Sequence, residues 1–270
     1  MPASAPGTRW TLRLIALGYL AALLALPVGM IFWRTFEHGL GPVWDGLTDQ
    51  RALHALWLTG LITVIAVPLN TVFGIACALM LVRHRLPGKW VIDRVLDLPF
   101  AVSPVVVGLS LILVYGRNGW VGNWLIDHGY QVIFAVPGMV LATIFVSLPF
   151  VVREVVPVLR EIGTEQEEAA TTLGASSWQT FRRVTLPAIR WGVGYGVVLT
   201  TARALGEFGA VSVVSGRLTG HTETLTLLVE NRYQGFDLTG AYAASLALAL
   251  LALATLLGMT LLQRNRGDAR

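Results

Sequence analysis

Charged residues are scarce in this chain of 270 residues. Asp, Glu, Lys and Arg make up 13% of it and hydrophobic residues 54%, whereas soluble domains carry roughly 25% charged residues. A folded surface of this composition does not stay in water, so the lipid bilayer is the expected solvent. The net charge of +4 does not indicate nucleic acid as a partner, because the basic residues cluster beside apolar segments, where membrane orientation explains them.

Cysteine and histidine are too few or too scattered to build a site. The single cysteine, Cys77, lies in an apolar run, which excludes a disulfide framework and a thiolate metal site. The histidines fall in separate connections and segment ends, so no set of metal ligands emerges. The phosphate-binding pattern G-x-x-x-x-G-K-[ST] is absent, as is a nucleophile beside a base. We therefore predict that this chain has no catalytic residue, metal or cofactor of its own and is not an enzyme by itself.

Six apolar stretches are long enough to cross a bilayer, which takes about 20 helical residues. They are residues 14–33, 57–82, 98–115, 132–152, 191–215 and 241–262. The third is the weakest, because Pro99 and Pro104 interrupt its start. The predicted fold class is an all-α integral membrane protein with six transmembrane helices.

Lys and Arg concentrate on one side of these spans. They lie in the N-terminal tail, between spans two and three, between spans four and five, and in the C-terminal tail. By the positive-inside rule this side is cytoplasmic, so both termini are expected in the cytoplasm. The chain then divides into a tail (1–13), a first helix with its outer loop (14–52), a five-helix core (53–263) and a second tail (264–270).

The longest inner connection contains a predicted hairpin of two short helices, residues 161–187, called the hairpin below. Thr164 and Glu167 have the spacing of a capping box, in which each side chain bonds the backbone of the other residue. This box would start the first helix. Gly174 is placed to stop that helix in a left-handed conformation.

A second capping box follows at Ser176 and Gln179 and starts the second short helix. Leu186-Pro187 then either ends the hairpin or begins the fifth span, since proline is tolerated only in the first helical turn. A polar hairpin of small residues between apolar spans is expected to form a docking surface for a soluble partner. The alternative is an ordinary interfacial connector, which also uses caps and alanines.

Two ionisable residues fall inside the fifth predicted span. Arg203 lies 12 residues past Trp191, about 18 Å along a helix at 1.5 Å per residue. A lone arginine at the bilayer centre costs about 2.5–3.5 kcal/mol on insertion scales, so it should face protein or a water-filled cavity. Arg203 and Glu207 have i, i+4 spacing and can pair on one helix face. The pair is either structural or part of a pathway in which Arg203 attracts an anion and Glu207 positions it.

One pattern in the hairpin resembles the EAA loop of permease subunits in bacterial ABC importers. The pattern E-A-A-x-x-x-G, nine residues, then I-x-L-P is carried by Glu168, Ala169, Ala170, Gly174, Val184, Leu186 and Pro187. Valine replaces the commoner isoleucine at position 184. The resemblance implies a type I importer permease of the MetI-like fold, whose loop forms a coupling helix in a cleft of the ATP-binding subunit. These residues, apart from Val184, would then dock an ATPase subunit dimer, which uses the ATP and Mg²⁺.

Five further segments are similar to the permeases of oxyanion importers: 97–108, 147–154, 164–170, 173–181 and 202–216. Together they most resemble the W subunit of sulfate/thiosulfate permeases. The resemblance implies an assembly in the bacterial inner membrane with a second homologous permease, two ATPase subunits and a periplasmic sulfate- or thiosulfate-binding protein. The outer connection 216–240 is expected to be a solvated connector or, alternatively, a contact for that binding protein. A molybdate or tungstate permease and a gradient-driven secondary transporter are the alternative functions.

Overall fold

The structure, a computed structural model, describes residues 6–37, 39–84 and 87–267 and contains helices but no strand within them. The helices are α1 (Pro6–Leu20), α2 (Leu26–Phe36), α3 (Leu40–Thr48), α4 (Gln50–Arg83), α5 (Lys89–Ala101), α6 (Pro104–Tyr115), α7 (Gly122–Asp127), α8 (Val136–Ile162), α9 (Glu165–Thr172), α10 (Ser177–Thr180), α11 (Leu186–Leu205), α12 (Gly209–Val214), α13 (Leu225–Gln234) and α14 (Leu238–Gly267). Two π-helical turns join α1 to α2 (Ala21–Ala25) and α10 to α11 (Phe181–Thr185). The prediction of an all-α fold is confirmed.

Three long helices, α4, α8 and α11, form the centre of the fold and approach one another through glycine. A Cβ placed on Gly74 of α4 would lie 2.7 Å from the Cβ of Val151 of α8. A Cβ placed on Gly196 of α11 would lie 2.8 Å from the Cα of the same valine. Helices in lipid associate by close packing of small residues rather than by hydrophobic burial, so these glycines set the spacing of the three helices.

The apolar core has two main parts along α8. The first half of α8 packs with α6 and α12 in a cluster that includes Val107 and Met139. The second half packs with the end of α4 and the beginning of α11 in a cluster that includes Leu159 and Ile189. Cys77 is buried in this second cluster as a free thiol. The hairpin follows directly from the end of α8, so it is attached beside the second cluster.

Four of the predicted spans are continuous helical segments, of which the first passes from α1 through the π-helical turn into α2. Among the described residues, the helices long and apolar enough to cross a membrane are Arg13–Phe36, Gln50–Arg83, Val136–Ile162 and Leu238–Thr255. They correspond to the first, second, fourth and sixth predictions. The fourth predicted span corresponds to α8, which begins at Val136, four residues after the expected start at residue 132, and continues to Ile162.

The third predicted span, 98–115, is wrong as a single helix. Helix α5 ends at Ala101, α6 begins at Pro104, and their axes differ by 111°. Ser103 adopts φ −59° and ψ 134°, because the ring of a following proline disfavours the helical conformation. The interruption that the two prolines suggested is therefore a sharp turn between two helices.

The fifth predicted span, 191–215, is also broken. Helix α11 begins earlier, at Leu186, and ends at Leu205, and α12 covers Gly209–Val214. A Cβ on Gly209 would lie 2.8 Å from the Cβ of Pro104. The break in the fifth element therefore lies against the turn in the third. Six predicted spans thus become four continuous helical segments and two broken elements that meet.

The predicted tails are largely helical where the structure describes them. Helix α1 starts at Pro6, and α14 runs to Gly267. Residues 1–5 and 268–270 of the two predicted tails, and His38 in the first outer loop, lie outside the described residues. The side of the membrane on which each tail lies stays a prediction.

The connection 216–240, expected as a solvated connector, contains a packed helix. Leu225, Leu227 and Leu228 of α13 are buried. Glu223 pairs with Arg51 at 3.0 Å, and the buried Arg232 pairs with Asp49 at 3.0 Å. These ion pairs bind the connection to the first turn of α4 and to Asp49, the residue that precedes this helix. The expectation of a solvated connector is wrong for this part of the chain.

Candidate functional site

The first helix of the hairpin, α9, ends as its sequence predicts. Gly174 has φ +87°, the left-handed region in which glycine has no Cβ penalty. The amide of Gly174 donates to the carbonyl of Thr171 at 2.9 Å, and that of Ala175 donates to Ala170 at 3.0 Å. These two bonds form a Schellman motif, which satisfies the last carbonyls of the helix. The predicted stop at Gly174 is confirmed.

The second capping box of the hairpin is also confirmed. The amide of Gln179 donates to Ser176 Oγ at 3.3 Å, and the amide of Ser176 donates to Gln179 Oε1 at 2.9 Å. From Ser177 the chain stays helical through the π-helical turn into α11, where Pro187 lies in the first turn. Of the two alternatives, Leu186-Pro187 therefore begins the long helix.

The first capping box, at Thr164 and Glu167, is wrong. Thr164 makes no cap hydrogen bond, and its hydroxyl donates instead to Glu168 Oε1 at 2.7 Å. The carboxylate of Glu167 is bound elsewhere: it accepts from Arg83 Nε at 2.8 Å and from the hydroxyl of Thr185 at 2.8 Å. A charge-assisted bond to a guanidinium is about twice as strong as a neutral one, so Arg83 draws the side chain away from the cap.

Arg83 is the residue of the hairpin site that sequence reasoning missed. In the sequence it counts only as one of the positive charges that set the orientation. In the structure it ends α4 and reaches α8, α9 and the segment between them. The spacing of neighbouring residues in the sequence does not predict this contact, because Arg83 and Glu167 are 84 residues apart.

One side of the hairpin forms a shallow concavity with a volume of about 680 Å³, called the concave face below. Ala169, Ala170, Leu173, Val184 and Pro187 supply its small and apolar lining. Leu173 is 89% exposed, although it is fully apolar. Polar residues complete the lining at Gln166, Arg183 and Arg190. This combination of shallow shape and exposed apolar surface is typical of a protein–protein contact.

The six docking residues predicted from the sequence do not all share that face. Ala169, Ala170 and Pro187 line it. Glu168 lines a separate cavity with Arg83 and Thr164. Gly174 lies exposed at the tip of the hairpin, and Leu186 packs partly buried against the second core cluster.

The second candidate site is the Arg203–Glu207 pair, whose predicted i, i+4 contact is confirmed at 2.9 Å. Glu207 lies beyond the end of α11, in the break, and not on the helix face that the spacing suggested. Its Oε1 accepts the amide of Ala210 at 2.9 Å, and its carbonyl accepts the hydroxyl of Thr226 at 2.9 Å. The contact of Oε2 with Arg203 is an ion pair without hydrogen-bond geometry. Glu207 is thereby fixed in the break at 2% exposure, while Arg203 stays 32% exposed.

The chain that contains the hairpin and the broken elements belongs to a known class of transport subunit. The chain belongs to the family of binding-protein-dependent transport system inner membrane components, whose sequence pattern matches residues 70–267. The similarity to importer permeases that the EAA pattern suggested is confirmed. The chain is therefore a multi-pass membrane protein.

Individual relatives cover nearly the whole chain. It is 51% identical to the sulfate transport system permease protein CysW of Escherichia coli, over 94% of this chain and 88% of the relative. It is 36% identical to the permease protein CysT of the same organism, over 92% of this chain and 90% of the relative. Among solved structures, a bacterial ABC transporter involved in alginate import matches with a TM-score of 0.79 at 18% identity, over 95% of both chains. At that identity the match establishes the fold alone.

Proposed function

We propose that this chain is the W-type permease subunit of an ATP-driven importer for sulfate or thiosulfate and forms part of the translocation pathway. The observation that carries the proposal is a contrast within one organism. Identity to CysW of E. coli exceeds identity to CysT by a wide margin, 51% against 36%, over similar lengths. This contrast favours the W subunit, with CysT-like proteins as the homologous second permease.

The proposed assembly has four kinds of subunit in the bacterial inner membrane and at its two surfaces. An ATPase dimer uses ATP and Mg²⁺, a second permease completes the pathway, and a periplasmic protein delivers the anion. This chain binds no cofactor and catalyses no reaction itself. The distribution of Lys and Arg supports cytoplasmic termini and a cytoplasmic hairpin.

The concave face of the hairpin is the proposed docking surface for the ATPase subunit. Exposed Leu173 and the small Ala169 and Ala170 leave apolar surface that a partner would cover. Four further residues complete the proposed set. Pro187 lines the face and Glu168 lies beside it. Gly174 lies at the tip of the hairpin, and Leu186 packs its base against the core. Docking here would let nucleotide-driven closure of the partner bias the membrane helices between two states.

Co-purification tests this docking surface with a matched pair of variants on α9. Ala169→Arg places a long charged side chain in the concave face, whereas Thr171→Arg, about 200° further around the helix, places the same side chain on the opposite, exposed side. We expect the ATPase subunit to be lost from the first variant and retained by the second. Equal retention in both variants would contradict docking at this face.

Uptake into proteoliposomes tests the transport function and its alternatives. The wild-type complex with its binding protein is expected to accumulate labelled sulfate or thiosulfate only when ATP is present. Unlabelled molybdate or tungstate that competes more strongly than sulfate would favour the molybdate-type alternative. Uptake that persists without the ATPase subunit would favour a gradient-driven transporter.

Arg203 is the proposed anion contact within the pathway. Its guanidinium has five N–H donors, and the side chain remains a third exposed while paired with Glu207. A tetrahedral oxyanion requires donors and positive charge of this kind. In this proposal Glu207, held by the amide of Ala210, orients the guanidinium toward the passing anion.

A further inference from the structure

We propose that Arg83, Glu167 and Thr185 form a clamp that transmits motion between the hairpin and helix α4. Arg83 and Glu167 are then positioning residues for coupling, separate from the surface that docks the ATPase subunit. The inference rests on the proposed function, because the motion to be transmitted comes from that subunit. These three residues are called the clamp below.

One guanidinium in the clamp joins three parts of the chain. Arg83 Nε donates to Glu167 Oε2 of α9 at 2.8 Å. Its Nη1 donates to the carbonyl of Leu159 in α8 at 3.1 Å, and its Nη2 donates to the carbonyl of Gly163 at 2.6 Å. A guanidinium is planar and rigid, so its donors hold these acceptors in fixed relative positions. The positive charge also lies at the C-terminal end of α8, where the helix dipole favours it.

The second oxygen of Glu167 extends the clamp to the far arm of the hairpin. Glu167 Oε1 accepts the hydroxyl of Thr185, a buried residue at the end of the π-helical turn. The side chains of Arg83 and Glu167 are only 12% and 19% exposed. Water and salt therefore screen this pair less than an ion pair on the surface.

Helix α9 has little other attachment to the membrane helices. None of its residues is buried, and it packs mainly on its hairpin neighbours, α10 and the π-helical turn. Arg83 is thus the residue through which α9 is bound to the end of α4. A load applied to α9 by a docked partner would pass to α4 and to the end of α8 through this side chain.

The test measures sulfate uptake per ATP hydrolysed in the reconstituted wild-type, Arg83→Gln and Glu167→Gln complexes. Both variants leave the concave docking face unchanged, so the amount of bound ATPase subunit should stay at the wild-type level. Coupling between sites is typically worth a factor of about 5–150, and we expect the uptake-to-ATP ratio to fall about tenfold. Arg83→Lys keeps the charge without the fork and should give an intermediate ratio.

A control variant and a partner-independent measurement complete the experiment. Arg34→Gln removes an ion pair of the same 2.8 Å length that joins residues three positions apart, and it should leave the ratio unchanged. Hydrogen exchange of the α9 amides in the isolated permease should accelerate in Glu167→Gln and stay at the wild-type rate in Arg34→Gln.

The outcomes separate failure of the clamp from failure of the proposed function. A wild-type ratio in Arg83→Gln and Glu167→Gln overturns the clamp, as does unchanged hydrogen exchange in Glu167→Gln. If the wild-type complex transports no sulfate, the proposed function fails while hydrogen exchange still judges the clamp. If Arg83→Gln does not accumulate in membranes, Glu167→Gln and Arg83→Lys decide the question.

Discussion

Two Arg–Glu pairs of nearly equal length differ in their burial and in the elements that they join. Arg83 and Glu167 approach to 2.8 Å across 84 residues, whereas Arg203 and Glu207 approach to 2.9 Å across four. Both partners of the first pair are mostly buried, and the pair joins separate elements. In the second pair the glutamate is buried and the arginine stays partly open at a helix break. A pair that joins distant elements is suited to transmit force, and a local pair with an open arginine is suited to meet a ligand.

The largest effect in this comparison is expected from Arg203→Leu. Removing one partner of a buried ion pair costs about 3–5 kcal/mol, and the one-third exposure of Arg203 reduces our expectation to about 2–3 kcal/mol. Sulfate uptake should be lost as well. Thermal unfolding in detergent and labelled-anion uptake measure the two effects.

The double variant Arg203→Leu/Glu207→Gln separates stability from transport. It removes the uncompensated carboxylate, so thermal stability should largely return. Uptake should remain lost if Arg203 contacts the anion. Recovery of both properties in the double variant would instead establish the structural interpretation of the pair, in which Arg203 serves only to neutralise Glu207.

The contrast between the pairs also explains what sequence analysis could predict. The Arg203–Glu207 contact, the Gly174 stop and the Ser176 box depend on residues at most five positions apart, so helical spacing alone predicts them. Arg83 meets Glu167 only after α4 and α8 have packed side by side. The first capping box failed for the same reason, because a distant arginine competes for its glutamate.

The two broken spans illustrate a second limit. A hydropathy average over about 20 residues detects an apolar stretch but does not detect a turn within it. The local signals were nevertheless present: Ser103-Pro104 at the first turn, and Gly206 and Gly209 beside the second. That the two breaks lie against each other follows from tertiary packing and has no counterpart in local spacing.

A smaller effect is expected when the hairpin is weakened at its local stop instead of at the clamp. Gly174→Ala forces alanine into the left-handed region, which costs about 1–2 kcal/mol. No atom lies within 4 Å of the new Cβ, so the effect comes from the backbone alone. Faster hydrogen exchange at the end of α9 should report it, with the clamp intact.

Gly60→Ala is the matched control for this prediction. It also places a Cβ in open space, but within the right-handed helix α4. Alanine is favoured over glycine there by roughly 0.5–1 kcal/mol, so the control should be neutral or stabilising. Equal destabilisation by both variants would mean that the left-handed conformation at Gly174 does not limit hairpin stability.

The smallest effects should distinguish the two predicted capping boxes. Ser176→Ala removes an observed cap and should cost about 1 kcal/mol, which lowers hydrogen-exchange protection of the Gln179 amide about fivefold. Thr164→Ala removes no cap bond, and the loss of its contact with Glu168 should change stability by about 0.5 kcal/mol or less. If both variants destabilise the hairpin equally, Thr164 caps α9 after all. Glu167 would then be shared between the cap and Arg83, and the distant pair would bind the hairpin less firmly than the structure indicates.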